Sequence, residues 1–355
     1  MIEHGFIYTG QPSRVIFGFG TTAALPEEMA RLGARRALIL STPAQEAQAH
    51  KLVEVLGEAA VGIFPGAVMH TPVDISDLAA DRARQIKADV VVAFGGGSTT
   101  GLGKAIALRT GLPQIVLPTT YAGSEMTPIL GETSGGQKRT QTTPKVLPQV
   151  VIYDVDHTMG LPVGLSGTSG INAIAHAVEA LYAREANPVI SLMAAEGIGA
   201  LARALPAIAR NPEDRTARAD ALYGAWLCGI CLGSVGMALH HKLCHTLGGT
   251  FDLPHAETHT LILPHALAYN ASAVPEAMAR LRGVLGPDPA LALFNLGHAV
   301  GAPASLAALG MPDSGIVRAV DLALSNPYWN PRPLERDALT ALIARAHAGA
   351  PPITA

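Results

Sequence analysis

The stretch Asp89-Val90-Val91-Val92-Ala93-Phe94 is apolar after its first residue, rich in β-branched side chains, and runs straight into Gly95-Gly96-Gly97-Ser98. A strand with one face in water alternates polar and apolar residues. One that is apolar throughout is covered on both faces, as in parallel sheets flanked by helices. Shorter apolar runs occur at Arg14-Val15-Ile16-Phe17, Ala37-Leu38-Ile39-Leu40, Val61-Gly62-Ile63-Phe64, Ile115-Val116-Leu117-Pro118 and Val150-Val151-Ile152-Tyr153. Between them the pattern predicts helices at about 25–32, at 43–56 opened by Pro43, and at 75–86 capped by Asp74 or Ser76. Alternating strands and helices give a mostly parallel sheet with right-handed crossovers. Leu130 to Pro148 is polar and rich in Gly, Thr and Gln, and reads as a hairpin or excursion from that sheet.

The pattern changes after Thr158, beyond which no strand is expected. Apolar residues recur at helical spacing through 169–183, 190–209, 217–240, 275–285, 290–309 and 314–325. Asn326-Pro327-Tyr328 interrupts this before a final helix at 335–348. The expected architecture is an α/β dinucleotide-binding domain over residues 1–157 with a mostly parallel sheet. An all-α-helical substrate and catalytic domain follows over 158–355, with the active-site cleft expected between the two.

Composition narrows the function classes. Charged residues make up 15% and apolar ones 49% of 355 residues, enough to fill two interiors. Net charge is −3 with no basic block, so neither nucleic acid nor an anionic membrane is expected as a partner. Three cysteines suit a reducing, cytoplasmic location, and Cys228-Gly229-Ile230-Cys231 reads as buried small residues. Ala221 to Leu239 is uncharged and long enough to cross a bilayer, but its glycines favour a buried helix. Met1-Ile2-Glu3-His4-Gly5 lacks the basic flank and apolar stretch of a signal peptide.

Two loops carry the first chemical signal. Gly95, Gly96, Gly97 and Ser98 let a backbone approach a phosphate closely, and the helix behind them offers free N–H groups. The spacing is neither GxGxxG nor a Walker A loop, so a plain strand-to-helix turn also fits. Pro118-Thr119-Thr120-Tyr121-Ala122-Gly123-Ser124-Glu125 leaves the next strand at the same carboxyl edge, where open parallel sheets bind ligands.

Six of the 13 histidines crowd into one stretch: His240, His241, His245, His255, His259 and His265. His241 and His245 are four residues apart and share a helical face, and His255 follows an expected break at Gly248-Gly249. Asn172 and His176 upstream have the same spacing. Three histidines and one oxygen donor would suit a divalent metal, although a neutral amide is a weak ligand.

Gly95 to Lys104, Pro118 to Pro128, Ser169 to His176, Ala221 to Leu227 and Ala238 to His259 together resemble the iron-containing alcohol dehydrogenase family, whose fold is similar to dehydroquinate synthase. The resemblance spans nearly the whole chain, and within the family it is nearest the branch that reduces maleylacetate. It implies that the family's metal positions fall on Asn172, His176, His241 and His255. Asn172 stands where metal-dependent members have Asp, Gly101 replaces another usual Asp, and the loop at Tyr121 is shorter than usual. No obligatory metal is therefore expected.

The implied reaction reduces maleylacetate to 3-oxoadipate with NADH or NADPH in the breakdown of aromatic compounds. A hydrogen-bond donor must stabilise an enolate, and an acid must deliver a proton. His245 and His241 are the candidates for these roles, with His176 and His255 beside them. Gly95, Gly96, Gly97, Ser98, Lys104, Thr42, Thr119, Thr120 and Ser124 are assigned to the cofactor. Tyr121, Asn172, His240 and Lys242 are assigned to a dicarboxylate substrate. A homodimer is expected. A metal-dependent alcohol or aldehyde dehydrogenase remains the alternative, and a non-catalytic dinucleotide sensor a further one. The segment Leu40-Ser41-Thr42-Pro43 has no carboxylate to repel a 2′-phosphate. Both NADH and NADPH are therefore expected to support turnover; refusal of NADPH in parallel assays would contradict this reading of Thr42.

Overall fold

The computed structural model describes residues 6–353 apart from 12 and 136. The segment read above as lacking a signal peptide, residues 1–5, lies outside the described residues. The chain divides into two compact units. One is Gly10–Leu161, and the other is Pro162–Ala355 joined by residues 6–9.

The first unit contains β1 (Arg14–Gly18), α1 (Leu25–Arg31), β2 (Ala37–Leu40), α2 (Glu46–Leu56), β3 (Ala60–Phe64), α3 (Val73–Gln85), β4 (Val90–Gly95), α4 (Gly97–Thr110), β5 (Gln114–Pro118), β6 (Ile129–Ser134), β7 (Gln137–Thr142) and β8 (Val150–Asp154). Six strands form one sheet in the order β1-β8-β5-β4-β2-β3, every pair parallel. The unbroken apolar character of β4 follows from two cores. Val90, Val92 and Phe94 pack with Leu25, Met29 and Leu52 of α1 and α2, whereas Val91 and Ala93 pack with Ala79, Ala83, Leu102 and Ile106 of α3 and α4. Successive side chains of a strand point to opposite faces, so both registers must be apolar. The polar segment after β5 is a hairpin, with β6 and β7 antiparallel and Ile129 opposite Thr142.

Two local expectations are corrected. Pro43 starts a 3-10 turn, Pro43–Gln45, ahead of α2. Neither Asp74 nor Ser76 caps α3: Pro72 precedes it, and the Ser76 hydroxyl donates to the Pro72 carbonyl from within the helix.

The second unit is helical, with no strand among the described residues: α5 (Val163–Ala180), α6 (Pro188–Arg210), α7 (Arg215–Ser234), α8 (Leu239–Phe251), α9 (His255–Asn270), α10 (Pro275–Leu285), α11 (Pro289–Ala299), α12 (Gly315–Ser325) and α13 (Arg336–Ala348). The stretch 217–240 was expected as one helix. It is two, α7 and α8, bent by 94° across residues 235–238. Ala221 to Leu239 therefore forms no single span. Among the described residues, one helix has the length and composition to cross a membrane, α6, and half of its apolar window is buried. Cys228 and Cys231 are buried, and burial pushes the Cys231 thiol up to about 12. Gly248-Gly249 does not end α8, which continues to Phe251 and stops at Asp252 in the left-handed region. The helix expected at 290–309 ends at Ala299.

α6 and α7 meet backbone to backbone at Gly197 and Gly224. A Cβ on Gly224 would lie 2.9 Å from the Gly197 carbonyl oxygen, and one on Gly197 would lie 3.1 Å from that of Gly224. Backbone cannot yield as a side-chain tip can, so Gly224→Val is expected to destabilise the protein by about 1–3 kcal/mol through overpacking. Urea unfolding checks this; an unchanged midpoint would refute the close crossing.

Candidate functional site

The nucleotide-binding candidates gather at the carboxyl end of the sheet in the first unit. The glycine turn joins β4 to α4, Gly96 is extended, and no side chain caps the helix. Its first N–H groups are thus left for an anion. Space around the turn is tight. A Cβ on Gly95 would sit 2.5 Å from Thr99 Oγ1, and one on Gly96 would sit 2.9 Å from Thr120 Oγ1. Gly96, Gly97 and Ser98 remain partly exposed.

Gln45, a residue the sequence pattern did not single out, joins the neighbouring loops. Its Oε1 accepts from the Thr42 hydroxyl at 3.1 Å, and its Nε2 donates to Thr119 Oγ1 at 2.9 Å. The loops after β2 and β5 are thus tied together beside Gly95. The available signal was an amide in the first turn after a strand end, which alone is commonplace.

Two assignments in this region change. Lys104 is fully buried, and its ammonium donates to the carbonyls of Ser124, Thr127 and Ile129 at 2.6–2.8 Å. Burial pulls its pKa down to about 7, against the opposing charge of Glu125. It supports the loop carrying Ser124 from below, and three carbonyls occupy the donors once assigned to a cofactor. Tyr121 is also fully buried, which leaves its ring no exposed surface to present to a substrate.

Gly101 has a local explanation. A Cβ there would lie 2.5 Å from Thr71 Oγ1. Thr71 and His70 both have positive φ, a conformation that costs non-glycine residues of order 1–3 kcal/mol each. The Thr71 carbonyl accepts from the Thr133 N–H of β6, which helps hold this loop against α4.

In the second unit, α5 and α8 bring Asn172, His176, His241 and Glu179 together. The His176 and His241 rings stack at 5.3 Å. Glu179, fully buried on α5, accepts from the Ala238 N–H, the His240 N–H and His241 Nδ1, each at 2.7 Å. One carboxylate therefore meets the start of α8 and also orients the histidine there. Because a carboxylate only accepts, Nδ1 of His241 carries the proton, and Nε2 of the neutral ring is left with its lone pair. The sequence signal for Glu179 was a carboxylate in an otherwise apolar helix, three residues after His176.

The other histidines separate into distinct environments. His240 was expected to bind substrate, but it is fully buried, with its Nε2 2.9 Å from His259 Nδ1 and 3.7 Å from Cys244 Sγ. It is an interior residue. His245 and His255 are exposed. His255 opens α9 and its ring lies 4.3 Å from that of His259. His245 Nδ1 lies 3.1 Å from the Tyr328 hydroxyl, and Lys242 Nζ lies 5.6 Å from the centre of the Tyr328 ring. Burial drives the pKa of His176, His240 and His259 well below the usual histidine value, and neighbouring histidine charges lower it further. These three rings are neutral at physiological pH. Tyr328 belongs to this site although its sequence context marked only a helix break.

Asn172 Oδ1, His176 Nδ1 and His241 Nε2 are buried and have no hydrogen-bond partner among the described residues. Such atoms need a polar occupant. Toward a divalent cation the weak point of this donor set is Asn172, whose neutral amide is a poor ligand. His176, His241 and His255 also do not converge: among the described residues, the one trio of His, Cys, Asp or Glu donors within 4.8 Å is His240, Cys244 and His259. A hydroxyl group of an organic ligand, or water, can donate to these open acceptors.

Residues 12–155 match the family described as iron-containing alcohol dehydrogenase, and residues 166–347 match its C-terminal part. The maleylacetate reductase of Rhizobium sp. is 56% identical over 98% of this chain and 99% of its own. The crystal structure of maleylacetate reductase from Agrobacterium tumefaciens is 54% identical, with a TM-score of 0.96 over 98% of this chain and 100% of that one. Sulfoacetaldehyde reductase from Bifidobacterium kashiwanohense, solved with NAD+, shares the fold at 22% identity and a TM-score of 0.89 over 97% of this chain and 99% of that one.

Glu179→Gln tests the central contact. An NH2 group would replace one carboxylate oxygen and face a donor, leaving a buried N–H unpaired at a cost of about 1–3 kcal/mol. The urea midpoint is expected to fall accordingly; wild-type stability would show that the three bonds contribute nothing.

Proposed function

This chain belongs to the iron-containing alcohol dehydrogenase family, and from that premise we propose that it reduces maleylacetate to 3-oxoadipate with NADH or NADPH and without an obligatory metal. The observation that carries the reading is the likeness to maleylacetate reductases along almost the whole chain. Asn172 adds to it, since an enone is reduced by conjugate addition and needs a hydrogen-bond donor, which a side chain can supply in place of a Lewis acid.

When bound, the reduced dinucleotide supplies the hydride that saturates the alkene carbon remote from the ketone. Its pyrophosphate suits the uncapped start of α4, with Ser98, Thr119, Thr120, Ser124 and Thr42 as polar neighbours. The remaining work falls to this chain's side chains. As the alkene electrons move onto the ketone oxygen, an enolate forms that requires an N–H donor, the role assigned to His245. The carbon next to the ketone then takes one proton, so that maleylacetate, NAD(P)H and H+ give 3-oxoadipate and NAD(P)+. His241 suits this acid role: Glu179 holds its Nδ1–H and stabilises the imidazolium that carries the second proton on Nε2. Lys242 offers a cation for a substrate carboxylate. The nearby buried rings of His176, His240 and His259 stay neutral and do not compete for it.

Loss of NADH absorbance with and without maleylacetate tests the proposal, run before and after chelation. Maleylacetate-dependent oxidation that survives the chelator is expected. Absence of oxidation would overturn the substrate, and activity lost on chelation but restored by iron or zinc would overturn the metal-free mechanism.

A further inference from the structure

The segment between α12 and α13 has no regular structure, yet it is clamped to the end of α9. The Tyr269 hydroxyl donates to the Pro333 carbonyl at 2.6 Å and accepts from the Glu335 N–H at 3.1 Å. Arg332 donates to the Tyr269 carbonyl at 2.9 Å and stacks its guanidinium 4.2 Å over the Tyr269 ring. Asn270 and Asn330 exchange amide hydrogen bonds at 2.9 and 2.7 Å. Arg184 stands 5.3 Å over the Trp329 ring. A loop held by this many bonds presents a side chain in a fixed place, and the one it presents to α8 is Tyr328.

We infer that Tyr328 is the positioning residue for His245: its hydroxyl donates to Nδ1 of the neutral imidazole, so that Nε2 carries the proton and becomes the donor for the substrate enolate. The activity arm of this inference rests on the function proposed above. The geometry is a hydroxyl 3.1 Å from His245 Nδ1, with the rings 6.1 Å apart and steeply inclined at 72°. Burial, and then the charge of Glu179, raise the phenol's pKa, so it keeps its proton to donate. A phenol differs from the carboxylate at His241 in one useful respect. It donates to a neutral ring and accepts from a charged one, so His245 keeps its partner whichever protonation state it occupies. Lys242, three residues earlier on α8, lies over the same phenol ring and adds a positive charge on that side.

The test compares wild type, Tyr328→Phe, His245→Ala and the double variant. Tyr328→Phe is expected to lower kcat by about 10- to 100-fold, as misplaced catalytic groups do, with KM for maleylacetate and Kd for NADH close to wild type. The double variant is expected to be no slower than His245→Ala. Multiplying losses, an effect on KM alone, or an unchanged kcat would overturn the inference. Nitrogen NMR of protein labelled at histidine gives an arm independent of activity, with His245→Ala identifying the signals. Wild type is expected to show His245 protonated at Nε2 and Tyr328→Phe a mixture of tautomers; protonation at Nδ1 in wild type would refute the role. An inactive wild type would defeat the proposed substrate, and the NMR arm would still decide the role of Tyr328.

Discussion

The helical unit depends on one buried carboxylate. Glu179 has no access to water, and an isolated charge in that position costs several kcal/mol. Three bonds of 2.7 Å offset the cost, two of them to N–H groups at the start of α8, where the helix dipole also favours negative charge. This gives a physical reason for the 94° bend between α7 and α8. A continuous helix would bond the N–H groups of Ala238 and His240 to carbonyls one turn back, and Glu179 would be left buried with donors missing. Breaking the chain at 235–238 frees those donors and aims them at α5.

That contact also sets the register of the histidines. With Ala238 and His240 fixed by their N–H groups, His241 turns to the Glu179 side and His240 turns inward to His259 and Cys244. His245, one turn on, reaches the surface and Tyr328. The result is a gradient: rings kept neutral by burial at the interior, a carboxylate-oriented ring next, and an exposed ring held by a phenol. Burial first, and then the neighbouring histidine charges, keep His176, His240 and His259 neutral beside the two rings that a carboxylate and a phenol hold.

The fold was legible where sequence pattern and local structure share one cause. β2 and β4 were read almost to the residue because a strand covered on both faces has no polar register. α9 was missed because it is buried along most of its length and contains Pro264, so it shows neither an amphipathic stripe nor an uninterrupted helical run. α7 and α8 were merged because Val235-Gly236-Met237-Ala238 carries no polar punctuation; the break is imposed by Glu179, about 60 residues away. At the site, the glycine turn and the histidine crowding were visible as composition. Gln45, Glu179 and Tyr328 were not, since each acquires its role from a partner 60 to 85 residues distant. Lys104 differs from its assignment for the converse reason: a polar residue inside a functional motif can be spent on holding the motif's backbone.

The two positions at which the resemblance implies an acid in metal-dependent members, Gly101 and Asn172, are built differently. At Gly101 the space has been closed: Thr71 Oγ1 occupies the place a Cβ would need, and a loop with two positive-φ residues lies against the helix there. Restoring an acid would require that loop to move. At Asn172 nothing has closed in, and its Oδ1 remains buried without a partner beside the equally unpaired His176 Nδ1 and His241 Nε2. A buried polar group left open in this way costs about 1–3 kcal/mol. Packing therefore fills the first position, whereas the second persists as a polar recess whose open acceptors a water molecule or a ligand hydroxyl would satisfy.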